Sequence, residues 1–288
     1  MAYAFALEDR TLARGARRIA LEQVGHALDQ IDRPSLPQAE AVHEIRKCVK
    51  KLRALLRLLR PGLPHHAALD ALLRDAAGRV GGLRDAAVLL DTLDALSPRG
   101  FPAIRAALAA APILAPEAAE VALATCHADL VEARRALKKL KLAGEGDSVL
   151  EAGLAATLRE AKTALREVLH DPDSPAIHTL RKRVKDHLYQ SRLLIPLWPE
   201  MLEPHCAVAD ALGETLGLVN DIAVFTEALS RIDLPEAERE AALALARTRH
   251  DRLMLAALPR AARLFAGDPS DLAERWCAWW AIWQAEAG

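Results

Sequence analysis

Apolar residues recur at steps of three and four along nearly the whole chain, and runs alternating apolar and polar at period two are absent. That spacing predicts α-helices throughout. A first helix is expected from about Glu8 to Ile31, stopped by Arg33-Pro34-Ser35-Leu36-Pro37. The second runs from about Gln38 to Arg60, carries Ile45, Val49, Leu52, Leu56 and Leu59 as its apolar stripe, and ends at Pro61-Gly62. A third, Pro64 to Leu96, holds Gly81-Gly82 and is expected to bend there, because paired glycines weaken a helix interior. A fourth spans Pro102 to Leu142 with a break near Pro112 to Pro116. Gly144 to Ser148 is the expected boundary between two halves, 1–146 and 147–288, of a single domain, with Asp147 or Ser148 capping the next helix. Further helices are expected at Val149–His170, Ser174–Ile195, Glu200–Ser230 and Leu234–Phe265, and a short extra one at Pro269–Glu286.

The polar faces say more than the apolar ones. Val42-His43-Glu44-Ile45-Arg46-Lys47 and Ile177-His178-Thr179-Leu180-Arg181-Lys182 lie 135 residues apart and open two helices in nearly the same way. The first continues with Lys50, Lys51, Arg53, Arg57 and Arg60, the second with Lys185 and Arg192. Helical steps put most of these cations on one side. A second matching pair comes after each: Gly81-Gly82-Leu83-Arg84-Asp85 about 40 residues after His43, and Gly217-Leu218-Val219-Asn220-Asp221 about as far after His178. Two motifs in one order at one spacing, twice, indicate duplication of a four-helix unit rather than a solenoid.

Composition narrows the possibilities. With 52% hydrophobic and only 4% aromatic residues, rich in Ala and Leu, the chain is expected to be all-α. Its net charge is −1, so the positive charge is concentrated on the two helices rather than general, and the balancing acids are expected mostly elsewhere. Cys48, Cys126, Cys206 and Cys277 lack metal-ligand spacing, and nothing approaches the ~20 apolar residues of a membrane span. A soluble, cytosolic protein with reduced thiols is expected, with no cofactor, no metal and no membrane partner.

His43, Arg46, Lys50, Lys51 and Arg53, followed by Arg84-Asp85-Ala86-Ala87-Val88-Leu89, closely resemble the CHAD family, the conserved histidine α-helical domain. The resemblance extends over nearly the whole chain. It implies two four-helix bundles related by pseudo-twofold symmetry around a basic central cavity, and binding of inorganic polyphosphate without catalysis. The second copy is thinner: His178, Arg181 and Lys185 match, but Asp186 stands where Lys51 does and Leu188 where Arg53 does, with Tyr189 one position later. The second wall is therefore expected to grip more weakly, and the helix from His43 to Arg60 to supply most of the hold.

Polyphosphate offers no base to stack on and no edge to read, so recognising it requires closely spaced cations. Arg46, Arg53 and Arg57 can fork onto phosphate oxygens, while Lys47, Lys50 and Lys51 act as mobile point charges. Lys182, Lys185, Tyr189 and Arg192 are expected to join them from the second copy. Arg84, Arg134, Lys138, Lys141, Arg249 and Arg252 are candidates to complete the groove. Asp85 and Asp221 are expected to hold Arg and His side chains in place, and Trp276, Trp279, Trp280 and Trp283 to anchor the tail on the second bundle. Two alternative readings are a metal-dependent phosphohydrolase, for which His65-His66 with Asp70 is the densest ligand cluster, and non-specific nucleic-acid binding. On the main reading nucleic acid is only a weak competitor, and association with polyphosphate granules is a further expectation.

Overall fold

The stripe predicted for the second helix lies at the centre of the molecule: Ile45, Val49, Leu52, Leu56 and Leu59 are all buried. In this computed structural model, which describes residues 3–83, 85–110, 115–172 and 174–286, and only the backbone of 85–87, 116 and 174, the described residues form helices and turns without a strand. The helices are α1 (Leu12–Asp32), α2 (Gln38–Leu59), α3 (His66–Arg79), α4 (Asp85–Leu96), α5 (Pro102–Ala109) and α6 (Pro116–Lys138). They continue as α7 (Gly146–His170), α8 (Ser174–Leu194), α9 (Pro199–Leu229), α10 (Glu236–Leu264) and α11 (Pro269–Ala285). The all-α expectation and nearly every helix position hold.

The differences have local causes. α1 starts at Leu12 rather than Glu8 because Thr11 accepts the Arg14 N–H as an N-cap, while Asp9 folds the preceding turn by accepting from the Ala6 N–H. The helix expected over Pro64–Leu96 is two helices, with a 3-10 turn at Gly81–Leu83 between them. α7 begins at Gly146 with no side-chain cap; Asp147 instead accepts the indole N–H of Trp280 at 3.0 Å.

Among the described residues the helices enclose three larger apolar cores and a small fourth one of Leu188, Cys206 and Ala209. The first joins α1, α2, α3 and α6 with the N-terminal part of α7 and with α11, through residues such as Ile19, Leu52, Leu73, Leu130, Leu150 and Trp280. The second is built by α7 to α10 around Leu165, Leu180, Val184, Leu216 and Met254. The third brings α4 and α5 onto α9 and α10, where Leu93, Ile104 and Leu108 meet Ile222, Phe225 and Leu229. α5 is fastened there by Glu238 of α10, which accepts the Ile104 backbone N–H at 2.9 Å. The break at Gly81-Gly82 is thus what lets α4 turn away from α3 and pack on α9. The tryptophans of α11 anchor the tail on second-half helices and reach the first bundle as well: α11 lies along α7, Trp276 stacks on His187 of α8 and meets His205 of α9 edge-on, while Trp280 meets Phe5 and Trp276, Trp280 and Trp283 join the first core.

α7 approaches the end of α2 so closely that a Cβ on Gly153 would lie 1.7 Å from the Leu58 carbonyl oxygen. A backbone atom cannot yield as a side chain can. Gly153→Ala is expected to cost about 1–3 kcal/mol or more by overpacking, read as a lower denaturant midpoint; an unchanged midpoint would contradict this contact.

Candidate functional site

α2 and α8 meet along their C-terminal halves, and the pairs that meet define how they run. Arg57 Nη1 donates to Asp186 at 2.5 Å, and Gln190 Nε2 donates to the Ala54 carbonyl at 3.0 Å. As α2 numbers rise α8 numbers fall, so the helices are antiparallel. Near the other end of this contact Lys51 lies over the Tyr3 ring, Tyr3 packs edge-on against Tyr189, and Arg192 lies over Tyr189. With a rise of about 1.5 Å per residue, His43 and His178 stand at opposite ends, roughly 30 Å apart. The two basic faces are joined end to end. Lys182 lies where Arg53 and Arg57 of α2 lower its pKa, after the larger effect of its own burial.

Each copy of the His-x-x-Arg motif faces its glycine motif. A Cβ on Gly81 would come 3.0 Å from Arg46 Nη1, and one on Gly217 would come 3.7 Å from the Arg181 guanidinium. Small residues there give each arginine room to lie across the neighbouring helix. His178 Nδ1 donates to Asn220 Oδ1 at 2.6 Å, so Asn220, not Asp221, is the residue that orients it. Of the corresponding pair in the first half, Arg84 lies outside the described residues, as does the side chain of Asp85.

Carboxylates reach these helices from elsewhere in the fold, which helix periodicity does not reveal. Asp70 of α3 accepts two hydrogen bonds from Arg53, at 2.8 and 2.9 Å. Burial raises the Asp70 carboxyl, but the Arg53 hydrogen bonds together with the charges of Arg53 and Arg57 outweigh it and leave its pKa below the ordinary value. Arg60, Glu160 of α7, Arg183, Asp186 and Arg57 form a continuous chain of ion pairs with links of 2.5–2.9 Å. Asp186 is therefore not a lost cation on a phosphate-facing wall: it is 8% exposed and clamps α8 to α2.

The remaining candidates divide accordingly. Lys47 pairs with Glu44, Lys185 with Asp210 and Glu214, and Arg192 with Asp210. Tyr189 is 6% exposed and its ring serves the α2–α8 contact, which places it behind the basic surface rather than on it. Burial lowers the Lys51 ammonium. Arg249 donates to the Ala95 carbonyl and so caps the C-terminal end of α4. Arg134, Lys138 and Lys141 are exposed at the end of α6, whose neighbours are α1 and α3, and Arg252 is exposed on α10. His43 and Lys50 are exposed on α2. Among the described residues Arg46, Arg181 and Lys182 enter none of the ion pairs of α2 and α8. The side of the track with cations least engaged by carboxylates therefore includes Arg46 at one end and Arg181 and Lys182 at the other, rather than the whole length from His43 to Arg60.

Burial lowers the His178 imidazole, which its Asn220 bond partly opposes and Lys182 and Arg181 reinforce. Since Nδ1 already gives its proton to Asn220, the neutral ring offers Nε2 as a bare acceptor. A phosphate oxygen can hydrogen-bond there only with a proton between them. Binding an oxyanion at His178 is therefore expected to take up a proton and to strengthen as pH falls toward the depressed imidazole pKa, levelling off below it. Calorimetry in two buffers of different ionisation enthalpy reads the uptake, and equal uptake in His178→Gln would contradict it.

A pocket of about 50 Å³ opens beside this ring, lined by Ile177 and His178 of α8, Val219, Asn220 and Ala223 of α9, and His250 of α10. His250 carries no repeat signal, and only the packing of α10 on α9 brings it there. Among the described residues no group of three or more His, Cys, Asp or Glu side chains is placed to hold a metal ion. All four cysteines are free and buried. No helix among the described residues is long and apolar enough to cross a membrane.

The sequence matches the family model of the CHAD domain over residues 18–230. Among solved structures the fold is similar to the crystal structure of the CHAD domain from the plant Ricinus communis, with a TM-score of 0.54 and 19% identity, covering 96% of this chain and 93% of that one. No curated protein matches the sequence.

Proposed function

Because the chain belongs to the CHAD domain family, we propose that it binds inorganic polyphosphate along the α2–α8 track without transforming it. The observation that carries this reading is the end-to-end joining of two basic helices whose arginines, Arg46 and Arg181, each lie on a glycine face apart from the ion pairs of the two helices. A flexible polyanion satisfies such a track better than a compact ligand does, since it can follow cations spread over roughly 30 Å. Lys50 and Lys182 add charge along the way and His43 a hydrogen-bonding ring, and Arg53 and Arg57, within their ion pairs, hold the surface potential positive at the crossing. The buried Asp186 costs the track little cation density. Its two arginine partners leave the Asp186 cluster net positive.

Nucleic acid shares the charge of polyphosphate but spaces it more widely along a bulkier backbone, and the aromatic rings near the track, Tyr3 and Tyr189, are turned inward and offer no stacking platform. Polyphosphate is therefore the preferred partner, nucleic acid a weak competitor, and association with polyphosphate granules a consequence of the same surface. Titration with polyphosphates of graded length beside single-stranded DNA of matched charge tests the reading. Polyphosphate is expected to bind more tightly than DNA at every salt concentration, and no phosphate is expected to be released when divalent metal is added. Tighter binding of DNA would replace this reading with nucleic-acid recognition, and chelator-sensitive phosphate release with hydrolysis.

A further inference from the structure

The pocket beside His178 sits where the track runs out, at the start of α8, and its walls come from three helices. Its volume of about 50 Å³ leaves room for roughly three or four atoms of water size, enough for one tetrahedral oxyanion and too little for a ring. Ile177, Val219 and Ala223 make part of the wall apolar. Three polar side chains complete it: His178, Asn220 and His250. Both histidine rings are already oriented, His178 by its neighbour in the wall and His250 by a carboxylate outside it. His178 Nδ1 donates to Asn220 Oδ1, and His250 Nδ1 donates to Asp251 Oδ1 at 3.1 Å. The groups left over are His178 Nε2, His250 Nε2 and the Asn220 amide N–H.

From this we propose that the pocket takes the terminal phosphate group of a linear polyphosphate, with His250 as an additional ligand, so that the track has a defined stop at its α8 end. The inference rests on the polyphosphate reading above and adds chain-end recognition to it. A terminal group has three non-bridging oxygens to set against three polar side chains, whereas an internal unit has two and must leave the pocket as well as enter it. The terminal group alone keeps a titratable oxygen near neutral pH, with a second pKa of about 6. Its titratable oxygen can share one proton with His178 Nε2, while His250 Nε2, the second bare acceptor, takes its proton from solvent as the group docks. Arg181 and Lys182 lie beside His178 and Asp251 beside His250, so the mouth of the pocket is cationic on the α8 side, from which the chain would arrive.

The test is calorimetric titration of the full chain with linear hexaphosphate and with cyclic hexametaphosphate, which has no end. Wild-type protein is expected to prefer the linear probe by roughly tenfold, the weight of one charge-assisted hydrogen bond. His250→Ala, and separately Ala223→Leu, which fills the pocket without changing charge, should abolish that preference by weakening the linear probe alone. Arg181→Ala should weaken both probes alike. Equal wild-type affinity for the two probes, or a preference that survives both pocket variants, overturns the end-stop while leaving the track intact. Failure of wild type to bind either probe sinks the polyphosphate reading and the end-stop with it.

Discussion

An Arg46→Ala, Arg181→Ala double variant is expected to bind long-chain polyphosphate at least about 100-fold more weakly than wild type, since each charge-assisted contact is worth about 1.5–3 kcal/mol and each 1.4 kcal/mol is tenfold. The two arginines occupy equivalent places in the two copies of the motif, one against Gly81 and one against Gly217. They belong to different halves of the chain, so their effects should add. Neither is in an ion pair with a described carboxylate, so removing them leaves no buried acid unpartnered and stability should change little. Arg53→Ala makes the contrast: it strands Asp70, so it should lower stability as well as affinity. Equilibrium titration of the two single variants and the double variant, with thermal unfolding as a control, checks the claim. Wild-type affinity in the double variant would contradict it.

Asp186→Ala is expected to do the reverse, destabilising the fold by about 3–5 kcal/mol while tightening polyphosphate binding. The carboxylate sits between Arg57 and Arg183, at 2.5 and 2.9 Å, where two helices from different halves of the chain meet. Burial raises its pKa, and the guanidiniums of Arg57 and Arg183 oppose that rise. Without it Arg57 loses its partner in a half-dry contact, whereas Arg183 keeps Glu160. The uncompensated charge costs stability, and the same charge becomes available to a polyanion. Polyphosphate should therefore raise the melting temperature of the variant more than that of wild type, because a ligand bound only by the folded state stabilises it by mass action. Unchanged stability in the variant would mean that the ion-pair chain does not hold α2 to α8.

Much of this architecture can be read directly in the chain, for definite reasons. α2 runs from Gln38 to Leu59, within a residue of its expected end, because Pro37 before it and Pro61-Gly62 after it leave a helix no alternative. The duplicated motifs meet as pairs, Arg46 with Gly81 and Arg181 with Gly217, because spacing along two packed helices translates into proximity. Periodicity reports only which face of a helix is polar, not what another helix brings to it. Asp70, Glu160 and Asp210 are ordinary surface acids in their own segments, yet each ends against a basic face. The swing of α4 onto α9 is likewise settled by the third core rather than by Gly81-Gly82 alone. His250 reaches the pocket through α10, which has no counterpart motif in the first half.

The salt dependence of polyphosphate binding tests the central claim most directly. If a flexible polyanion lies along the α2–α8 track and displaces counterions at four or more cations, log K should fall linearly with log salt with a slope of about −3 or steeper. A shallow slope of about −1 or weaker, or no measurable binding at low salt, would contradict the track as the binding surface.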